Sequence, residues 1–192
     1  MRLRNFSHRR ALALIAVIAL PVVAFAIARP AQVLERVGGL SCRAETVCTD
    51  DPSRLQEASN LYSGAMEFLA SSVAPLQGRP LVVFCSSWQC YSFMWRDGSA
   101  AKTVGKYIIV ISPRGWAPYF VRHELIHRLQ GEKLGVLAMY GKPEWFIEGM
   151  AYALSQDPRP HLIEPFESDR AHFQVWYAKV GKEGLWSAQA EP

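Results

Sequence analysis

The chain has 192 residues, 50% of them hydrophobic and 20% charged, with a formal net charge of +4. That composition excludes a disordered or low-complexity protein and gives one domain with a substantial core, too short for two comfortable ones. The basicity is local: five of the 21 Lys and Arg residues lie in positions 1–30, where there is no acid, so the remainder carries 16 basic against 17 acidic residues and shows no nucleic-acid footprint.

In chain order, the first feature is the uncharged run ALALIAVIALPVVAFAIA (11–28), preceded by Arg2, Arg4, His8, Arg9 and Arg10. A basic flank before an apolar run marks a signal-anchor helix or a secretory signal peptide. The run exceeds the roughly 7–15 residues of a signal-peptide core and falls within the roughly 17–25 that span a bilayer. The expectation is an uncleaved anchor in the inner membrane, with everything after Arg29 in the periplasm or otherwise outside. Ala26-Ile27-Ala28 resembles a small-x-small cleavage site, which gives the alternative of secretion to the periplasm after cleavage near Ala28.

Residues 29–50 read as a linker, with Pro30, Gly38 and Gly39, and one globular domain is expected over 51–192. The four cysteines fall into two close pairs, Cys42 with Cys48 and Cys85 with Cys90. An even count in an exported chain suggests disulfides, and of the three possible connectivities the two local loops are preferred.

Asp51-Pro52 reads as a helix cap followed by proline in the first turn. Leu55, Ala58, Leu61, Ala65, Leu69 and Val73 follow at helical spacing. PLVVFC (80–85) is β-rich and predicts a strand. The stretch from Cys85 to Gly105 reads as a loop or hairpin region with a turn at Asp97-Gly98. KYIIVISP (106–113) is the clearest strand. A helix is expected from Pro118 to Gly131, a second from about Pro143 to Ser155, and a last one over 168–181.

The helix from Pro118 contains VRHELIHRLQ (121–130), where His123 and His127 stand four residues apart with Glu124 next to the first. Positions i and i+4 share a helix face. Two imidazoles so placed can reach one Zn2+ at the roughly 2.0–2.1 Å of zinc–nitrogen bonds, and the adjacent carboxylate can serve as general base for an activated water. A catalytic zinc needs a third protein ligand. His161, His172 and several carboxylates lie downstream, and Glu148 in KPEWFIEGMAYALS is the best of them. It is 21 residues past His127, which leaves room for a connection and a returning helix. Gly149 beside it leaves space for that helix to approach the first one closely. Glu144 reads as a helix-start acid.

HELIH followed by WFIEGMA resembles the gluzincin branch of zinc metallopeptidases, over roughly residues 80–156. The resemblance implies an α+β zincin-like fold, in which an HExxH helix and a glutamate helix stand beside a small mixed sheet. It implies that His123, His127 and Glu148 bind zinc, and that Glu124 is the catalytic base in peptide-bond hydrolysis. It also makes KYIIVISP the edge strand along which a peptide or protein substrate lies. The chain departs from some relatives in having Tyr152, not Asp, four residues after Glu148, so the sequence does not name the groups that accept the other N–H of each histidine. Candidates for the oxyanion stabiliser are Tyr152, His161, His172 and Tyr177. Two alternatives stay open: an exported zinc-binding protein without turnover, and a membrane-anchored interaction domain without metal.

Overall fold

The computed structural model describes residues 23–25, 28–105 and 108–186. The apolar run expected as anchor or signal lies outside these residues except for 23–25 and 28. Among the described residues no helix is long and apolar enough to cross a membrane.

The fold is α+β, built on a mixed sheet. Strands β1 (Ser41–Arg43), β2 (Val47–Thr49), β3 (Leu81–Phe84), β4 (Ala101–Val104) and β5 (Ile108–Ile111) lie in the order β1-β2-β3-β5-β4. β2, β3 and β5 run parallel, and the outer strands β1 and β4 are antiparallel to their neighbours. A parallel centre must be covered on both faces. That is why LVVF and IIVI are continuous apolar runs. Val82, Phe84, Ile109 and Ile111 face one layer, and Leu81, Val83 and Val110 face the other.

The first layer is helical. Helix α2 (Leu55–Ser72) presents Ala58, Tyr62, Ala65 and Leu69 to the sheet, as its spacing requires. It follows a 3-10 turn, Pro52–Arg54, capped by Asp51, whose carboxylate accepts from the Ser53 N–H. Helix α4 (Pro118–Leu134) contributes Val121, Leu125, Ile126 and Leu129 to the same core. On the opposite face, α1 (Pro30–Gly38) and α3 (Trp88–Met94) supply Ala31 and Tyr91. A single turn, α5 (Val136–Met139), leads into α6 (Glu144–Leu154) and α7 (Phe166–Gly184). Phe146, Met150 and Phe173 bury these two helices against the first core.

Several expectations need correction. Residues 29–50 are not a linker but α1 and the β1–β2 hairpin, because Val47–Thr49 pair with β3 and are fully buried. Cys42 and Cys48 are direct cross-strand partners in that hairpin and form a disulfide; Cys85 and Cys90 form the second. Both pairings suit an oxidising compartment. The region after Cys85 is not wholly loop. Ser87 caps α3, its hydroxyl accepting from the Cys90 N–H, while Asp50 accepts from the backbone of Ser86 and Ser87. The edge strand is β4, not the stretch after Lys106, because Ala101–Val104 pair along the outer side of β5. Helix α4 passes Gly131 and stops at Gly135, whose φ of 89° is left-handed. An Arg128–Glu132 ion pair one turn apart spans the glycine and carries the helix through it.

Gly149 does close a helix–helix gap, but toward α7. A Cβ there would lie 2.3 Å from the Asp169 carbonyl oxygen. At Gly181, where α7 was expected to close, the backbone breaks from helical geometry at φ 64° and resumes for one more turn.

Candidate metal centre

The site is assembled from α4, α6 and the edge strand. Pro118 starts α4 after an extended Ala117. That puts Val121, Leu125 and Leu129 into the core and turns His123 and His127 toward α6. Helix α6 is held by Phe146 and Met150 on the core side and by the Gly149–Asp169 approach on the α7 side. Between them Glu148 points back at α4.

The three side chains converge. His123 Nε2 and His127 Nε2 are 3.0 Å apart, and Glu148 places Oε2 3.5 Å from the first and Oε1 3.4 Å from the second. Ligand atoms bound tetrahedrally at about 2.0–2.2 Å stand roughly 3.3–3.5 Å from one another. These three residues are a group that can hold a metal ion. Their chemistry fits as well as their spacing: two imidazole nitrogens facing each other at 3.0 Å need a proton or a cation between them. The imidazoles are nearly buried, at 11% and 13% side-chain exposure, while Glu148 is 29% exposed. The open side of the centre is therefore at Glu148.

In the absence of a cation a proton takes that role. Burial disfavours a charged His127, but the hydrogen bond and charge of Glu148 outweigh it and raise the imidazole to about 9. Burial likewise opposes ionisation of Glu148, and the two histidines overcome it, holding the carboxyl well below its usual range.

Behind the ligands lies a buried support. Gln130, fully buried, places Oε1 2.8 Å from His127 Nδ1, and its Nε2 donates to the Ile147 carbonyl at 2.9 Å. With Nδ1–H donating to Gln130, the Nε2 lone pair of His127 is free for a metal. Gln130 thus fixes one ligand and ties α4 to the residue before Glu148. It stands three residues after His127, on the neighbouring position of the same helix. That spacing was available in the sequence, although a buried glutamine partner was not inferred from it.

Glu124 is 6% exposed and lies beside the triad, outside it. Thr103 on β4 brings its hydroxyl to 2.6 Å from Glu124 Oε2 and 3.0 Å from the Glu124 carbonyl. No local pattern in the sequence links positions 103 and 124.

Of the oxyanion candidates, the structure puts only Tyr152 against the triad. Its ring meets that of His123 edge-on at 4.4 Å, and burial together with Glu148 pushes its hydroxyl up to about 12, so it stays a donor. His161 is exposed, with Glu167 as its charged neighbour. His172 stacks on Trp145, and Tyr177 stacks on Phe173. Glu144 is exposed in the first turn of α6. Two unforeseen residues adjoin Tyr152: Asp157, whose side chain is 2% exposed, and its ion-pair partner Arg159.

No family model, curated protein or solved structure matches this chain.

Proposed function

We propose that the protein is a zinc-dependent peptidase of gluzincin type, acting outside the cytoplasm on a peptide or protein substrate. The observation that carries the reading is the convergence of His123, His127 and Glu148, whose ligand atoms lie 3.0–3.5 Å from one another, with Glu124 next to His123 in the chain and its charge acting on His127. Two imidazoles and a carboxylate form a ligand set used for catalytic zinc. Two disulfides and the basic-then-apolar N-terminus support an exported or membrane-tethered location.

Bound in this cradle, zinc supplies Lewis acidity that polarises a substrate carbonyl and acidifies a water. The chain's own residues do the rest. Glu124 accepts a proton from the attacking water and returns it to the departing amine. Thr103 donates to Oε2 of that carboxylate, which leaves Oε1 as its second acceptor. β4 is the outermost strand among the described residues, and a peptide laid along it runs past Thr103 towards Glu124. Tyr152, adjacent to His123, is the donor available to charge developing on the carbonyl oxygen.

The test is Glu124→Gln on the full chain. The amide cannot take a proton, so hydrolysis of a casein or mixed-peptide substrate should fall by at least a hundredfold while one zinc per chain is retained by elemental analysis. Retained activity refutes the base. A purified chain that takes up no zinc refutes the centre. A chain that holds zinc but cleaves nothing is a binding protein.

A further inference from the structure

Arg159 lies in the segment between α6 and α7, and the fold fixes it unusually firmly for a residue whose side chain remains 39% exposed. Asp157, buried beneath it, accepts from Nε at 2.9 Å and also from Nη2. The backbone N–H of Arg159 donates to the same carboxylate at 3.0 Å, and its carbonyl accepts from Arg170 Nη1. Arg170 is itself paired with Glu167, which caps the Leu162 N–H. The guanidinium carbon stands 5.5, 5.3 and 5.7 Å from the ring centres of Tyr119, Phe120 and Tyr152.

Those three rings place the cation. Tyr119 and Phe120 belong to the first turn of the HExxH helix, and Tyr152 lies one turn beyond Glu148 on α6 and packs on His123. The guanidinium is therefore one aromatic ring away from a metal ligand. A guanidinium has five N–H groups. Asp157 takes one on Nε and one on Nη2, and the Tyr152 ring lies 5.7 Å from the guanidinium carbon. Three N–H groups are not taken by Asp157, on a side chain that is 39% exposed. A structural pin for the loop needs only Asp157 and the rings. A fork held this rigidly has already lost the rotamer entropy that binding an anion costs.

We propose that Arg159 anchors a substrate carboxylate: the N–H groups that Asp157 leaves free receive the C-terminal carboxylate or an acidic side chain of a peptide whose scissile bond lies at the metal centre. This deepens the peptidase reading and rests on it. The substrates would be short acidic or C-terminally free peptides.

Binding measures the anchor and hydrolysis measures the reading, so the two fail separately. The binding probes are N-acetyl-trialanine as the free acid, the same peptide as its C-terminal amide, and N-acetyl-Ala-Ala-Glu-amide. They are titrated calorimetrically into the zinc-loaded full chain carrying Glu124→Gln, which leaves the peptides intact. A carboxylate-bearing probe should bind about tenfold tighter than the plain amide, the scale of a partly exposed charge-assisted pair. The free acid or the Glu peptide showing that gain identifies which carboxylate is used. The preference should vanish in Arg159→Gln with zinc retained and be reduced, not lost, in Arg159→Lys. Because a carboxylate can also sit on zinc, a preference that survives Arg159→Gln overturns the anchor. Equal binding of all three probes to the parent overturns it without any Arg159 variant having to fold. Hydrolysis of peptides by the unmutated chain with no carboxylate preference leaves the peptidase reading standing and the anchor refuted. An Arg159-dependent preference without hydrolysis by that chain does the reverse.

Discussion

Gln130 accepts a hydrogen bond from His127 at 2.8 Å and passes one on to the Ile147 carbonyl at 2.9 Å, so a single buried amide spans the two helices that carry the candidate metal ligands. Both of its ends are committed, which fixes the amide's orientation and with it the histidine tautomer. Gln130→Leu keeps approximate volume and removes both bonds. It leaves the Ile147 carbonyl without its donor and frees the imidazole to rotate. Loss of such an outer partner costs about 10–100-fold in metal affinity. Competition for zinc against a chromophoric chelator, with the far-UV spectrum unchanged, is the check; affinity equal to the parent's would show that the contact is passive.

Thr103 ties the outermost strand to Glu124. Its hydroxyl can donate only once, and the carboxylate at 2.6 Å is the closer acceptor. Thr103→Val should lower kcat/KM by about tenfold, the worth of one hydrogen bond to a charged group, with zinc content unchanged. Thr103→Ser restores the donor and should recover most of the loss. If Val and Ser variants are equally impaired, the methyl packing and not the hydroxyl is what matters.

The central elements and the grouping of His123, His127 and Glu148 were legible because each rests on a local signal. The runs LVVF and IIVI have the length and branching of buried strands, and the i, i+4 histidines on an apolar-striped helix bring two ligands to one face whatever the rest of the chain does. Glu148 followed from its distance and its motif. What was missed depends on contacts between remote segments. Val47–Thr49 look like linker until their pairing with β3 is seen. The edge passed from β5 to β4 because Ala101–Val104, with a lysine and a threonine among four residues, gives too weak a pattern. Thr103, Asp157 and Arg159 join the site only through tertiary packing.

Gly149 is a packing requirement with no ligand role of its own. A methyl group there would overlap the Asp169 carbonyl at 2.3 Å and crowd the Phe173 Cβ at 3.0 Å, and a backbone oxygen in a helix cannot swing aside. Gly149→Ala should destabilise the protein by about 1–3 kcal/mol, the usual cost of overpacking, or roughly 2–12 °C in Tm for a chain of this size. Because Glu148 is the adjacent residue, zinc affinity should fall with it. Thermal unfolding followed by circular dichroism, with and without zinc, measures both. A Tm within 1 °C of the parent would mean that α6 and α7 are less closely packed than they stand here.

Removing the metal should reverse the pH response of the fold. In the metal-free centre His127 is raised from 6.5 to about 9, so its pairing with Glu148 stabilises the folded state fully below about pH 6.5 and is lost as pH rises through 9. Glu148 is held below its ordinary value of 4.5, so its contribution is present above that pH and disappears as pH falls beneath it. For this pair, metal-free protein is therefore most stable between about pH 4.5 and 6.5. Zinc binds the neutral imidazole and displaces the proton. The zinc-loaded protein should keep its Tm from pH 6.5 to 9, where the metal-free protein declines, and the gap between them should widen steadily with pH. Scans of EDTA-treated and zinc-saturated protein at half-unit pH steps test this. Parallel curves across that interval would mean that the His127–Glu148 proton and the metal do not share a site.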